Sequence, residues 1–285
     1  MKVKITHPER VMFPAAGVTK GDLAAYYERV TEHMLPHVRD RPVSMQRFPD
    51  GIEKGGFFHK DVPTYFPDWI RRFEVAKRGG TLNHAVIRDA DTLVYLANHG
   101  TITPHVWLSR IDRIDRPDRL VFDLDPGPGA TVVECCRVAE RLREILVADG
   151  LTPVAKTSGS KGMQLYAGIR ATSAASPSAY AKALAERLAD QTPELVVAKM
   201  AKNLRANKVF IDWSQNNPAK TTIAPYSLRG RAQPTVSTPV TWDEVRACRR
   251  PEQLVFTADD VLDRVEEVGD LFADLDGTGA VVPTR

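Results

Sequence analysis

The stretch VFDLDPGPG, residues 121–129, sets two aspartates one residue apart at the end of an apolar run. Leu120, Phe122 and Leu124 alternate with Val121, Asp123 and Asp125, the period of a β-strand, before Pro126 and Gly127 stop it. A carboxylate buried without a partner is costly, so the placement needs a reason. On one strand the two carboxylates share a face, roughly 6–7 Å apart along the chain. Such a pair suits a divalent cation, which prefers hard oxygen ligands. Asp212 ends a second such strand, KVFIDWSQ (208–215), where Val209 and Ile211 face one way and Phe210 and Asp212 the other. Three aspartates from adjacent strands could hold two ions roughly 4 Å apart, a common device for in-line displacement at phosphorus. Turn chemistry, with side chains capping backbone amides, is the competing account of Asp123 and Asp125. For Asp212 the competing account is a pair with an arginine.

Two further segments carry anion chemistry. SGSKG (158–162) lies between two strands, where glycines allow close backbone approach and the serines and Lys161 present donors. It is not a Walker loop, because GxxxxGK[ST] is absent and no helix follows directly. NNPAKTTIAPYSLRGR (216–231) gathers Lys220, Arg229 and Arg231 among hydroxyls, which suits a triphosphate or a nucleic-acid backbone. A plain hairpin turn and a solvated basic loop are the respective alternatives.

The elements that must position these groups are legible in outline. TKGDLAAYYERVTEHMLPHV (19–38) predicts a helix capped by Thr19 with Asp22 three residues on. RPVSMQRF (41–48) predicts a strand, followed by a glycine-rich loop, GIEKGGFFHK, that carries Phe57 and Phe58. Helices are expected over 89–100, 130–150 and 176–193, the last with Ser176 as cap and Pro177 at its first position. TPVAKTS and GMQLYAGI predict strands on either side of SGSKG, and one more helix is expected within 259–275. Strands and helices mixed in this way imply an α+β or α/β fold.

Bulk properties narrow the classes. With 285 residues, 43% of them hydrophobic, the chain can build a sizeable core. Its 39 basic and 36 acidic residues leave a net charge of +3, so any nucleic-acid surface must come from local clustering. No apolar run is long enough to span a bilayer, and the first residues lack a signal-peptide core. Cys135, Cys136 and Cys248 form neither a disulfide framework nor a zinc spacing. A soluble cytoplasmic protein is expected, without a membrane partner.

The order of the motifs discriminates most. A DxD strand, then SGSKG after a helix, then a lone aspartate before a basic, hydroxyl-rich loop resembles the three catalytic motifs of the archaeo-eukaryotic primase superfamily. More closely, the chain resembles the polymerase domain of bacterial ATP-dependent ligase D and its stand-alone relatives. VTKGDLAAYY, GGFFHK, VFDLDPGPG, KTSGSKGMQLY and VFIDWSQNNPAKTTIAPYSLRGR carry the resemblance, which runs to about residue 265.

The resemblance implies a primase-polymerase fold, α+β, with a mixed β-sheet core flanked by helices. It implies one catalytic domain over 1–285: an end-binding part (1–115), a catalytic core (116–235) and a helical closing segment (236–285). Asp123, Asp125 and Asp212 would be the catalytic carboxylates, holding two Mn²⁺ or Mg²⁺ ions. Ser158, Lys161, Gln164, Gln215 and Lys220 would bind the nucleotide, with Arg229 and Arg231 supporting carboxylates and phosphates. His105, in TITPHVWL, would lie near the sugar, where contact with a 2′-hydroxyl favours ribonucleotides. A satisfied structural histidine is its alternative. Phe57 and Phe58 would stack on template bases, with core burial as the alternative. Arg10 and Lys20 would grip a downstream 5′-phosphate, and Arg47, Lys60 and Arg205 would contact DNA.

Three positions depart from the family pattern. Arg10 replaces a lysine, Gln164 a histidine and Gln46 a basic residue. The implied activity is template-dependent primer extension with NTP or dNTP at gaps and at ends with a 3′ overhang and 5′-phosphate. Ku and a DNA ligase are the implied partners, and association with the bacterial nucleoid is the implied location. A DNA-end-bridging module with little catalysis and a de novo primase are the alternatives. The sequence holds neither a ligase nor a nuclease module, which leaves an excised domain and a stand-alone polymerase both open.

Overall fold

The computed structural model describes residues 3–77, 79–171, 173–218, 220–275 and 279–283. The chain divides into two compact units, each assembled from separated segments. The first comprises Met1–Asp112, Thr221–Ser237 and Phe256–Gly269; the second comprises Arg113–Lys220, Thr238–Val255 and Asp270–Arg285. Residues 236–285 contribute to both units.

In the first unit, helix α1 (Lys20–Val38) starts at the expected capping box, in which Thr19 and Asp22 satisfy each other's backbone amides. Leu23, Tyr26, Tyr27, Val30, Met34 and Val38 form its buried face. It packs beside α2 (Ala90–Asn98), which Asp89 caps through the Thr92 amide. The sheet runs Thr221–Ile223, Thr101–Trp107, Pro42–Arg47, Gly80–Val86 and Arg72–Lys77, all antiparallel. Segment 51–60 is not the expected loop throughout. Phe57–His59 forms a strand that pairs with Met45–Arg47, where the Gly80–Val86 strand has already ended its own pairing.

The second unit is built on a sheet ordered Val196–Val197, Val209–Asp212, Arg119–Pro126, Met163–Gly168, Pro153–Thr157 and Pro239–Val240. One pair is parallel and the others antiparallel, so this sheet is mixed. Helix α3 (Val132–Ala148) packs on it through Cys135, Val138, Ala139, Leu142 and Leu146, behind a capping box of Thr131 and Glu134. Helix α4 (Ser176–Gln191) begins without a side-chain cap: Ser176 lies inside it and its hydroxyl donates back to the Ser173 carbonyl. Helix α5 (Trp242–Ala247) packs on α3. Late residues complete this unit, since the Arg170 amide donates to the Ala280 carbonyl.

The last expected helix is cut short. Helix α6 (Ala258–Val268) ends at Gly269, whose φ of 70° breaks the helical path, and Ala273–Leu275 is a separate single turn.

Candidate active site

The pairing of Val209–Asp212 with Arg119–Pro126 sets Asp212 directly opposite Asp123 and Phe210 opposite Asp125. Directly opposed residues share a face, and so do residues two apart on a strand, so all three carboxylates lie on one side of the sheet. The same row continues through Gln164, opposite Asp123, to Lys156, opposite Gln164.

The groups along this row are wired together. Gln164 Nε2 donates to Asp123 Oδ1 at 3.0 Å, and the Tyr166 hydroxyl donates to Gln164 Oε1 at 3.1 Å. Asp212 Oδ1 accepts from the Ser214 amide and hydroxyl, and Oδ2 accepts from Gln215 Nε2 at 2.8 Å. Arg205 stacks its guanidinium 3.7 Å from the centre of the Phe210 ring and draws the Asp125 carboxyl downward electrostatically.

Burial and mutual repulsion dominate the electrostatics. Desolvation first, then the neighbouring Asp125 and Asp212, push Asp123 up to about 7; Gln164 and Lys156 oppose the rise. Asp125 is raised by burial and by Asp212. A trio of hard oxygen donors that repel one another is a donor set a divalent cation relieves, so the residues fit a magnesium or manganese ion in kind. Among the described residues, no group of three or more His, Cys, Asp or Glu side chains is arranged to hold an ion as it stands. The bonds from Ser214 and Gln215 account for the position of Asp212.

A stability prediction follows from Asp123. The folded form holds this proton more tightly than the unfolded chain does. Stability therefore falls as pH climbs from the ordinary carboxylate range to about 7. Asp123→Asn removes that penalty while keeping the shape. In metal-free buffer at mildly alkaline pH it should raise the melting temperature by roughly 2–4 °C for each kcal/mol relieved. At acidic pH the variant and the parent should converge. A thermal melt series across pH reads the difference directly, and a variant no more stable at alkaline pH would refute the account.

The SGSKG turn adjoins this site. Ser158 Oγ accepts from the Ser160 and Gly162 amides, which shapes the turn, and Lys161 is exposed. Gly162 is required here, because a Cβ would stand 2.1 Å from the Leu124 carbonyl oxygen, next to both aspartates of the strand. A cleft of about 290 Å³ beside the turn is lined by Thr131, Thr157, Ser160, Lys161 and Leu254 among others. Lys220 belongs to the same unit and is exposed.

Several of the expected site residues make contacts within the protein. Gln164 is 3% exposed and its amide is engaged at both ends, so it orients Asp123. Arg205, expected on DNA, lies beside Asp125. Lys20 is 6% exposed, and its ammonium donates to Thr6 Oγ1 and the Asn98 carbonyl, anchoring the N-terminal segment. Burial and nearby Arg10 lower its pKa. Arg10 itself is exposed and bonds the Pro49 carbonyl and Asp50.

Other candidates belong to the first unit. Phe57 and Phe58 are 49% and 56% exposed, which removes the core-burial alternative. Phe58 meets the His105 ring edge-on at 5.0 Å. Lys60 and Arg231 are exposed; burial raises the Tyr27 hydroxyl pKa, and nearby Arg229 is among the groups that oppose the rise. Arg47 is buried; it donates to the His99 carbonyl and Tyr65 hydroxyl, and its Nη1 lies 3.0 Å from His59 Nδ1.

Sequence reasoning missed Lys156, Tyr166 and Ser214. The available signal was a lysine inside the apolar strand TPVAKTS; its place in the row depends on pairing across three strands.

Comparison with known proteins bears on this site. Residues 19–272 match the family described as LigD, primase-polymerase domain. The multifunctional non-homologous end joining protein LigD of Mycolicibacterium smegmatis is 41% identical over 98% of this chain and 37% of its own length. The bifunctional LigD of Bacillus subtilis is 32% identical over 96% of this chain and 44% of its own. The chain thus spans less than half the length of these two relatives. A solved structure, the polymerase domain from Mycobacterium tuberculosis ligase D in complex with DNA, superposes with a TM-score of 0.90 at 39% identity. It covers 97% of this chain and 99% of its own. With its α+β primase-polymerase architecture, the chain belongs to the LigD primase-polymerase domain family.

Proposed function

We propose that the chain is a template-dependent, divalent-metal-dependent nucleotidyltransferase that extends primers with NTP or dNTP at gaps and broken DNA ends. The observation that carries this reading is the strand register that sets Asp212 opposite Asp123, with Asp125 two residues along the same face. Family membership supports it. The names of the relatives support a setting in non-homologous end joining, and Ku and a DNA ligase are the partners this reading proposes.

Asp123, Asp125 and Asp212 would hold the magnesium or manganese, whose charge acidifies an attacking hydroxyl and neutralises phosphoryl oxygens. In the reaction a primer 3′-oxygen forms a bond to the α-phosphorus of the nucleotide, and the bond to pyrophosphate breaks. Lys161 and Lys220 are exposed cations available to the triphosphate. Gln164 fixes Asp123, and Gln215 with Ser214 fixes Asp212. Phe57 and Phe58 offer exposed rings to template bases, His105 lies against Phe58, and Arg10 and Lys60 offer charge to phosphates.

The test is extension of a gapped duplex. The protein should add templated nucleotides with magnesium or manganese and stop when a chelator removes the ion. A downstream 5′-phosphate should stimulate it. Tight end binding without any templated addition would replace this reading with that of an end-bridging module.

A further inference from the structure

Four large aromatic side chains stand exposed among the described residues, and all lie between positions 57 and 69: Phe57, Phe58, Tyr65 and Trp69. The other exposed large hydrophobic side chains are aliphatic. Tyr65 is 59% exposed and Trp69 39%, and neither has a part in the reading above.

Both rings are held from behind. Tyr65 meets Phe66 edge-on at 5.3 Å and His99 at 5.7 Å, and its hydroxyl accepts from Arg47 Nη2 at 3.0 Å. Trp69 meets Tyr95 edge-on at 5.2 Å, and Tyr95 leans on His99 at 4.4 Å and on the buried Phe66 at 5.1 Å. The Arg47 guanidinium that holds Tyr65 also sits 5.9 Å from the centre of the Phe57 ring, so one buried cation links the two pairs of exposed rings. Rings fixed in this way lose little freedom when something stacks on them.

Past Trp69 the surface opens into a cleft of about 510 Å³, lined by Asp68, Trp69, Arg71, Arg88, Asp89 and Thr92. Its other charges have partners. Asp89 caps α2, Asp68 lies 3.4 Å from Arg72, and Arg88 lies 3.2 Å from Asp40. Arg71 is exposed, and among the described residues its guanidinium makes no hydrogen bond or ion pair.

We propose that Tyr65, Trp69 and Arg71 form a second stacking track for single-stranded nucleic acid, continuing the ledge begun by Phe57 and Phe58. Aromatic faces take successive bases with little regard to sequence, and an available guanidinium takes a phosphate. The alternation of ring and cation favours a polyanion carrying flat bases over a purely apolar partner. On the reading above, the occupant is the unpaired strand beside the primer end. The binding itself requires neither nucleotide nor divalent ion.

The experiment is fluorescence anisotropy with labelled oligothymidine and, separately, a blunt duplex, in the presence of a chelator. Trp69→Ala should weaken oligothymidine binding by about 5- to 150-fold, the range for losing one stacked base. Trp69→Phe should restore most of that loss, because the smaller ring still stacks. Arg71→Ala should reduce the salt slope of single-strand binding by about 0.7. Blunt-duplex binding should be unaffected by either change. Wild-type affinity of Trp69→Ala for oligothymidine, or equal losses on both nucleic acids, overturns the proposal. A wild-type chain that extends no primer would defeat the polymerase reading and leave this result standing.

Discussion

Asp125→Ala is expected to lower primer extension by about a thousandfold or more, the scale of losing one charge-stabilising group at a phosphoryl centre. DNA binding should survive. Asp125 reaches solvent near the end of its strand, although the surrounding protein desolvates its carboxyl in part, and it makes no part of the hydrophobic core, so its loss opens no cavity. The change should also relax its neighbour. The Asp125 charge is the largest cause after burial of the raised Asp123 pKa, so removing it lets Asp123 ionise more easily. The variant should therefore melt no lower than the parent in metal-free buffer. Single-turnover extension on a gapped duplex measures the first effect, anisotropy with the same duplex the second, and a thermal melt the third. A variant that extends at the wild-type rate removes Asp125 from the chemistry.

Gly127→Ala should be among the most damaging single changes to folding. A Cβ at Gly127 would stand 1.8 Å from the Arg205 carbonyl oxygen and 2.6 Å from its carbon, both backbone atoms that no rotamer can move. The Gly127 amide also donates to the Lys208 carbonyl at 2.8 Å, so the two segments are clamped at that separation. Making room breaks this bond and drags Arg205 off Phe210 and away from Asp125. The expected loss is about 3 kcal/mol or more, above the usual range for point changes. Gly150→Ala is the control. Gly150 has a φ of 82° but nothing within 4 Å of its Cβ position, so only backbone strain remains, roughly 1–2 kcal/mol. Denaturant unfolding of the two variants should rank Gly127→Ala well below Gly150→Ala. The reverse order would show that conformation, not crowding, governs glycine at this strand end.

Features that depend on near neighbours along the chain were legible in the sequence. Thr19 with Asp22 marked the start of α1, and the alternation around Asp123 marked its strand, as the structure bears out. Interactions that depend on pairing at a distance were not. The register places Gln164 beside Asp123, where its amide is engaged at both ends, and no pattern of near neighbours shows that contact. The burial of Lys20 by its contacts with Thr6 and Asn98 is likewise set by residues distant in the chain. Phe57–His59 is too short for periodicity to reveal, and it exists as a strand because Met45–Arg47 offers an open edge. The hairpin of Arg72–Lys77 and Gly80–Val86 escaped notice because much of it is exposed and lacks a clean apolar alternation.

The weaving of the chain between its two units has an evolutionary consequence. Neither unit is an unbroken stretch of gene, so no single crossover or truncation can deliver one without the other. Recombination that joins this domain to other modules must move it whole. On the ribosome the second unit cannot finish until residues near Ala280 emerge to meet Arg170, so a stalled or clipped message leaves that unit incomplete.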